Sequence, residues 1–256
     1  MDWQGKTAFI TGGVSGIGFG IARAFAEAGI RLILSYRNEA YREEAESWFV
    51  KNELELPRFV KLDVTDRARF AEVAAEVGKV HILVNNTGGP PAGPIVEAAG
   101  EAFLRAYHNH LICNQLLAQA VLPGMKGAGF GRIINIISTS VKEPLDNLGV
   151  SNSTRWAVAG WAKTWANEVG QFGITVNNVL PGYTRTGRLE EIIGKRAAAT
   201  GSAREVVEEQ FKNHVPARRF AEPSEIAAAA AFLASPAAAY INGINLPVDG
   251  GRTRSL

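Results

Sequence analysis

Three glycines, Gly12, Gly16 and Gly18, follow a short apolar run that starts at Thr7, and a helical pattern follows them. Gly12 permits a tight turn and Gly16 lets backbone N–H groups approach a phosphate. Gly18 lets the helix pack closely against the strand, and the helix N-terminus presents its partial positive charge to the same anion. The segment therefore predicts a site for the pyrophosphate of a dinucleotide, in preference to a plain strand-to-helix turn.

Short apolar runs alternate with longer helical stretches over nearly the whole chain. We predict strands at 7–11, 31–35, 58–63, 82–85, 132–138, 174–180 and 244–248. We predict helices at 17–28, 39–50, 67–77, 101–122, 152–169 and 225–234. The strands are almost continuously apolar, as burial on both faces requires. This order predicts an α/β fold: a single-domain, doubly wound parallel sheet of the Rossmann type with helices on both faces.

Composition excludes several classes of protein. The 256 residues are 46% hydrophobic and 20% charged, which indicates a folded domain, and the net charge of +2 disfavours nucleic-acid and membrane-surface partners. Cys113 is the only cysteine, so we expect neither an intrachain disulfide nor a metal site built on thiolates. The longest apolar run, 226–234, is far shorter than the about 20 residues that span a membrane. We expect a cytoplasmic protein that acts on a small molecule.

The spacing Thr-Gly-x-x-x-Gly-x-Gly at 11–18 resembles the short-chain dehydrogenase/reductase family, and further motifs extend the likeness along the chain. These are Asp63-Val64, Asn85-Asn86-Thr87-Gly88, Pro181-Gly182 with Thr186, and Val248-Asp249-Gly250-Gly251. Within the family the chain is most similar to β-ketoacyl-carrier-protein reductases. The resemblance implies an oxidoreductase that uses a nicotinamide cofactor on a carbonyl/alcohol pair, as a 3-oxoacyl reductase does.

The resemblance also implies which residues bind the cofactor. They are Thr11, Gly12, Ser15, Gly16, Ile17, Gly18, Tyr36, Arg37, Asp63, Val64, Asn86, Gly88, Arg155, Pro181, Gly182, Thr184 and Thr186. Where an NAD-binding member carries an acidic residue at the end of the second strand, this chain has Tyr36, and Arg37 follows. Arg37 offers a forked cation for a 2′-phosphate, which favours NADP(H) over NAD(H). The alternative is a solvated Arg37 beside a Tyr36 that caps the adenine pocket.

The catalytic tetrad of the family, Asn, Ser, Tyr and Lys, is changed at three positions. Ser138 matches the family serine, Ser151 replaces the tyrosine and Arg155 replaces the lysine. His110 falls on the asparagine position, one residue after Asn109. The resemblance therefore implies a site of Ser138, Ser151, Arg155 and His110 whose proton donor is not the usual one.

The changed tetrad leaves several candidates for the residue that donates the proton. A Ser hydroxyl is a weaker acid than a Tyr phenol, and Arg155 cannot release its proton at working pH. His110 titrates in the physiological range as a free side chain, so it is the first candidate for the acid. Tyr183 and Lys142 are further candidates, and each of these groups has packing as its alternative. Ser138 is expected to donate a hydrogen bond to the substrate.

Two further segments bear on substrate and assembly. The polar insertion at about 188–218 is read as an irregular substrate lid, with a peripheral helical excursion as the alternative. Trp156, Trp161 and Trp165 lie at near-helical spacing. In this family that helix builds a subunit interface, so we expect a homodimer or homotetramer, with a core stripe as the alternative.

Two other functions stay open because the tetrad is altered. The chain could bind a nucleotide without redox turnover, as a sensor or partner subunit. It could also be a lyase or isomerase on the same scaffold, since a fold does not fix a function.

Overall fold

In the computed structural model, which describes Trp3 and residues 5–255, seven parallel strands form one sheet in the order β3-β2-β1-β4-β5-β6-β7. The strands are β1 Thr7–Ile10, β2 Arg31–Tyr36, β3 Arg58–Lys61, β4 Ile82–Asn85, β5 Gly131–Ile136, β6 Ile174–Pro181 and β7 Asn245–Val248. The predicted doubly wound fold is confirmed.

Helices cover both faces of the sheet. They are α1 Gly16–Glu27, α2 Glu39–Lys51, α3 Arg67–Glu76, α4 Gly100–Tyr107, α5 Cys113–Ala128, α6 Gly149–Val169, α7 Gly187–Thr200, α8 Arg204–Asn213 and α9 Pro223–Ala234. One apolar cluster joins α1, α2 and α9 to one face, and a second joins α3, α5 and α6 to the other. Neighbouring residues of β1 therefore point to opposite clusters, Ile10 to the first and Phe9 to the second.

The helix predicted at 101–122 differs from the structure in two ways. A wider turn of the π type, His108–Ile112, separates α4 from α5 within one continuous helical run. The helix also passes Pro123 and ends only at Gly129, which adopts the left-handed φ of 59° that favours glycine. Proline removes one hydrogen bond, and the packing of Val121 and Met125 against the sheet offsets that loss.

The insertion at 188–218 is not irregular, so that part of the prediction is wrong. It folds as α7 and α8, and Thr186 caps α7 while Gly201 ends it in the left-handed conformation. Leu189 and Ile193 of α7 pack with Phe211 of α8 in a small apolar cluster of their own. This local core explains why a polar, alanine-rich segment is helical.

A ladder of asparagine side chains crosses four strands near the carboxyl ends of the sheet. The Asn85 amide donates to Asn135 Oδ1 at 2.8 Å, Asn135 donates to Asn178 at 2.8 Å, and Asn178 donates to Asn245 at 2.7 Å. The four residues are direct partners in the strand register. The ladder fixes the alignment of β4 to β7 beneath the edge where the functional residues lie.

The chain order of the strands creates a crevice at this edge. From β1 the sheet extends through β2 in one direction and through β4 in the other. The connections after β1 and β4 therefore leave to opposite faces, and a ligand can enter between them at the carboxyl ends of the strands.

Candidate active site

A cleft of about 1800 Å³ runs along the carboxyl edge of the sheet. It reaches from the adenine-side residues at the end of β2, across the loop of residues 12–18, to the side chains of α4–α6 and α7. We call residues 12–18 the glycine loop. Predicted cofactor residues that line the cleft are Gly12, Ser15, Gly16, Ile17, Tyr36, Arg37, Asp63, Val64, Asn86, Gly88, Arg155, Pro181, Gly182, Thr184 and Thr186.

The glycine loop has a geometry that other residues would not tolerate. Gly12 and Gly16 have left-handed φ values of 57° and 52°. A Cβ on Gly18 would lie 2.1 Å from the carbonyl oxygen of Gly12 and 2.6 Å from the Asn86 amide nitrogen. Gly18 thus lies behind the cleft and allows close packing, which is the role its position in the motif predicts.

Hydrogen bonds hold the glycine loop to β2 and β4. The Gly12 N–H donates to Ser35 Oγ at 2.9 Å. The Asn86 N–H donates to Thr11 Oγ1 at 2.8 Å, and the Asn86 side-chain amide donates to the Thr11 carbonyl at 3.1 Å. Thr11 is buried by these contacts, so it positions the glycine loop and does not itself line the cleft.

The start of α1 fits the diphosphate of a dinucleotide. Its N-cap, Ser15, is extended, and its side chain caps no backbone N–H of the first turn. Across the cleft, Thr186 lies 3.4 Å from the position that a Cβ on Gly16 would take, so a side chain there would narrow the cradle. Unblocked N–H groups at a helix N-terminus next to a glycine-lined gap are a suitable anion site.

The adenine end of the cleft carries charges of both signs. Arg37 is exposed there, whereas Arg42 is held by Glu39 and, at 2.6 Å, by Glu46. Glu39 also lines this end, three residues after Tyr36. Asp63 accepts the Thr65 backbone N–H at 2.9 Å, a bond that lowers the pKa of its carboxyl group.

His110 forms a short hydrogen bond with a residue of the opposite loop. Its Nδ1 lies 2.6 Å from Thr87 Oγ1, and only 2% of the residue is exposed. Burial, and then the positive charge of Arg155, lower the pKa of the imidazole to about 2. The expectation that His110 titrates in the physiological range is therefore wrong, because the fold removes the ring from water.

Arg155 lies next to His110 and faces the cleft. Its Nη1 donates to the carbonyl of Ile136 at 3.2 Å, and 7% of the residue is exposed. Burial lowers the pKa of its guanidinium to about 10, so it stays charged at neutral pH. The substitution of lysine by arginine thus keeps a cation at this position.

The two serines lie at the border of the cleft. Ser138 and Ser151 directly follow the lining residues Ile137 and Val150 but are not themselves among the described residues that line it. The oxygen of Ser138 accepts the Ser140 N–H at 3.1 Å, which leaves its own proton free to donate.

The other proton-donor candidates are scattered. Tyr183 lines the cleft and stacks on Phe211 with ring centroids 4.9 Å apart. Asn109 lines it too, whereas Lys142 does not belong to its lining residues within the described chain. His108 faces Cys113, whose sulfur lies 4.0 Å from its Nδ1, and Cys113 is buried.

The sequence predicted no role for Thr87, and it did not predict the contact between Arg188 and the Pro90 carbonyl across the cleft. Thr87 occurs in the motif Asn85-Asn86-Thr87-Gly88, so its polar side chain where the family has alanine was the available signal. Arg188 of α7 donates to the carbonyl of Pro90 at 3.1 Å and thus bridges the two walls. No sequence pattern marks that bond.

The helices next to this end of the cleft carry an exposed apolar face. Leu104 is 71% exposed and Trp156 is 51% exposed, and Ile112 and Leu116 extend the face. The other two tryptophans of α6 turn inward, and both indole N–H groups donate to the side chain of Gln115, at 2.7 and 2.9 Å.

The part of the chain that the structure describes offers neither a metal cluster nor a membrane-spanning helix. Trp3 and residues 5–255 contain no group of three His, Cys, Asp or Glu side chains that could hold a metal ion. Over the same residues, no helix combines the length and the apolar character that a membrane crossing requires.

Comparison with known proteins agrees with the geometry. The family model described as "Enoyl-(Acyl carrier protein) reductase" matches residues 12–253. The chain is 34% identical over 253 residues to the 3-oxoacyl-(acyl-carrier-protein) reductase FabG of Vibrio cholerae serotype O1, covering 98% of each chain. It is 36% identical to the D-threitol dehydrogenase of Mycolicibacterium smegmatis over 256 residues, 98% of this chain and 94% of that one.

Among solved structures, the L-sorbose reductase of Gluconobacter frateurii, complexed with NADPH and L-sorbose, superposes with a TM-score of 0.92 at 32% identity and covers all of both chains. The glycine loop, the sheet order and these similarities lead to one conclusion. The chain belongs to the short-chain dehydrogenase/reductase family of oxidoreductases.

Proposed function

We propose that the protein is an NADP(H)-dependent oxidoreductase that acts on a carbonyl/alcohol pair of a small molecule, with a proton donor other than tyrosine. The observation that carries this proposal is the continuous cleft from the glycine loop to His110 and Arg155. Its volume of about 1800 Å³ is large enough for a dinucleotide, and polar groups lie at the end where the substrate would bind.

The preference for NADP(H) is supported by the charges at the end of β2. Arg37 is exposed to the cleft, whereas Arg42 is already paired with three glutamates. A 2′-phosphate would find Arg37 able to form a bidentate pair. The position that carries an acid in NAD-binding members is Tyr36, which cannot hold both ribose hydroxyls as a carboxylate does.

The mechanism follows from which groups hold their protons. When bound, the cofactor supplies or accepts the hydride. Ser138 and neutral His110 donate hydrogen bonds toward the substrate oxygen, and Arg155 stabilises the negative charge that develops on it. Because His110 stays neutral and Arg155 keeps its proton, we propose that a water in contact with solvent delivers the proton, and that the hydroxide it leaves takes a proton from the solvent. Ser151 has a shorter side chain than the tyrosine of the family, and we propose that this water lies beside it.

The helices α7 and α8 act as a substrate lid in this proposal. They have an apolar cluster of their own, and the bond from Arg188 to the Pro90 carbonyl holds them across the cleft. Leu189 and Phe211 belong to that cluster, and Ile192 lines the cleft as the apolar contact for the substrate.

The exposed apolar face of α4–α6 is proposed as the contact between two copies of the chain. Leu104, Ile112, Leu116 and Trp156 would otherwise be exposed to water. Several exposed large apolar side chains on adjoining helices are typical of a protein–protein interface. The expected assembly is a homodimer or homotetramer, in the cytoplasm.

The test is a titration with NADPH and NADH, followed by turnover with a panel of ketones, aldehydes and oxo acids. We expect tighter binding of NADPH, oxidation of NADPH by some members of the panel, and a loss of kcat/KM of about 100-fold in Ser138→Ala. Ser153→Ala is the matched control, because that hydroxyl only bonds the Gly149 carbonyl on the same helix, at 3.0 Å. Failure to bind either coenzyme would refute the proposal.

A nucleotide-binding protein without turnover is the second candidate. It is favoured by the absence of the Tyr/Lys pair and by the neutral state of His110. Saturation with NADPH, no oxidation by any compound in the panel, and a protein partner recovered with the chain would support it. A reaction that runs unchanged without a nicotinamide would instead point to a lyase or isomerase.

A further inference from the structure

Arg155 is a buried cation without a counter-charge. Its guanidinium donates to the carbonyl of Ile136, its one hydrogen-bond partner among the residues that the structure describes. Within the same part of the chain, no carboxylate lies within ion-pair distance of it. Since a guanidinium has five N–H donors, most of its hydrogen-bonding capacity is left for the cleft that it lines.

The second buried arginine, Arg132, shows what the fold does with such a group when no ligand is involved. Its Nη1 donates to the carbonyls of Gly131 and Gly173 at 2.8 and 3.2 Å, and the group lies 4.2 Å from the centre of the Phe130 ring. Arg132 does not line the cleft. Burial of a charge is costly unless polar groups surround it. The chain gives Arg132 two carbonyls and the face of a ring, whereas it gives Arg155 one carbonyl and an open side toward the cleft.

The surroundings of Arg155 leave room for a negatively charged ligand, and no protein carboxylate is paired with it among the described residues. A Cβ on Gly89 would still lie 3.9 Å from Nη2 of Arg155, so the loop does not crowd the group. His110 is neutral and offers no negative charge. On the opposite wall, Glu191 is held by Arg188 at 3.0 Å and by Lys195 at 2.6 Å. The acceptors that Arg155 lacks therefore have to come from the cleft, and an anion bound there would supply them together with a negative charge.

The cofactor does not supply it at this end. Its phosphates would be bound at the glycine loop and at Arg37, and a nicotinamide and its ribose carry no anionic group. The hydroxyls of the ribose would use one or two N–H donors of Arg155 without neutralising it. A carboxylate matches a guanidinium in shape and in charge, and forms two parallel hydrogen bonds with it.

We infer that the substrate is a free oxo acid or hydroxy acid whose carboxylate pairs with Arg155. This inference rests on the proposed function and narrows its substrate class. It disfavours an acyl thioester, which is neutral next to the reacting carbonyl. It also makes Arg155 a residue that selects the substrate by charge.

The experiment measures binding to the complex with NADP⁺, in which an oxo compound cannot be reduced. Pyruvate, 3-oxobutanoate and 4-oxopentanoate are each titrated calorimetrically against their methyl esters. We expect at least one acid to bind about tenfold or more tightly than its ester. Arg155→Gln should abolish the difference and Arg155→Lys should keep part of it. Arg105→Gln, which removes an exposed cation of the same cleft, should leave it unchanged.

The outcomes separate the inference from the proposed function. If NADP⁺ binds but no acid is preferred to its ester, the inference is wrong and the oxidoreductase proposal stands. A preference that persists in Arg155→Gln, or disappears in Arg105→Gln alone, also overturns it. If NADP⁺ itself does not bind, the proposed function fails first. If Arg155→Gln does not fold, the acid–ester comparison in Arg155→Lys and in the wild type still tests the inference.

Discussion

The hydroxyl oxygen of Thr87 lies 2.6 Å from Nδ1 of His110. This contact ties the loop after β4 to the π turn of the helix on the other wall of the cleft. One ring nitrogen is fixed by the contact, so the orientation of the imidazole is fixed as well. His110 is thereby a neutral group of defined direction, comparable to a backbone dipole rather than to an acid.

The buried, neutral state of His110 predicts a specific dependence of stability on pH. Its pKa falls from 6.5 in the unfolded chain to about 2 in the folded one, so between these values only the unfolded state binds the proton. Stability is therefore full above pH 6.5 and is lost as the pH falls. From pH 7 to pH 5 this group alone should cost about 2 kcal/mol.

The measurement is urea unfolding of the wild type and His110→Gln across this range of pH. The difference in free energy of unfolding between the two proteins should shrink by that amount toward pH 5, because the glutamine does not titrate. Other acid-sensitive groups, such as His81, cancel in the difference. A difference that stays constant with pH would contradict the buried, neutral imidazole.

Replacement of Gly18 by alanine should abolish coenzyme binding and lower stability. The new methyl group would lie 2.1 Å from the Gly12 carbonyl oxygen, so the glycine loop must move. We expect a loss of about 2 kcal/mol or more in the free energy of unfolding. Gly127→Ala is the control, because no atom lies within 4 Å of its Cβ position and alanine favours a helix. Thermal melts with and without NADPH measure both effects, and an unchanged affinity in Gly18→Ala would count against the site.

Arg37→Gln should weaken NADPH binding by about tenfold to 100-fold, as expected for the loss of a charge-assisted pair with a phosphate. The affinity of the Arg37→Gln variant for NADH should equal that of the wild type, since NADH lacks the 2′-phosphate. Arg58→Gln serves as the control, because Arg58 is the first residue of β3 and so lies at the amino ends of the strands, away from the cleft. Fluorescence titrations with both coenzymes give the ratio. Equal losses for NADPH and NADH would show that Arg37 does not read the phosphate.

Leu104→Glu should dissociate the assembly proposed for the α4–α6 face. A carboxylate at a position that is 71% exposed in the single chain costs the monomer little, but a paired copy would bury it without a partner. Val50→Glu is the matched control on α2, where the valine is 62% exposed. Sedimentation analysis reports the mass of each species. A monomeric wild type, or an assembly that persists in Leu104→Glu and in Trp156→Glu, would contradict this interface.

The fold could be predicted from the sequence because its signals are local. Continuous apolar strands, a helical period between them and the spacing of Gly12, Gly16 and Gly18 all act within a few residues. The resemblance to the family's catalytic motif, and not these local signals, located Arg155 and His110. Neither the signals nor the resemblance could give the pKa of His110, since that depends on burial by helices far away in the sequence.

The asparagine ladder also depends on contacts between residues that are far apart in the sequence. Asn85, Asn135, Asn178 and Asn245 each look like a polar residue in an otherwise apolar strand. Only the register of four strands shows that each amide is the partner of the next. For the same reason a helical segment at 188–218 was only the alternative prediction, because the apolar contacts that stabilise α7 and α8 join two segments that are each predominantly polar.

Because the π turn at His108–Ile112 joins α4 to α5, the number of residues in it sets how α4 is rotated relative to α5. Each residue of an α-helix rotates the chain by about 100°, so loss of one residue here would swing all of α4 around its axis relative to α5. The side of α4 that faces the cleft would turn by about 100° and would no longer face it. During evolution, single-residue insertions and deletions in this segment should therefore be rarer than substitutions, and where they occur they should accompany a change of substrate.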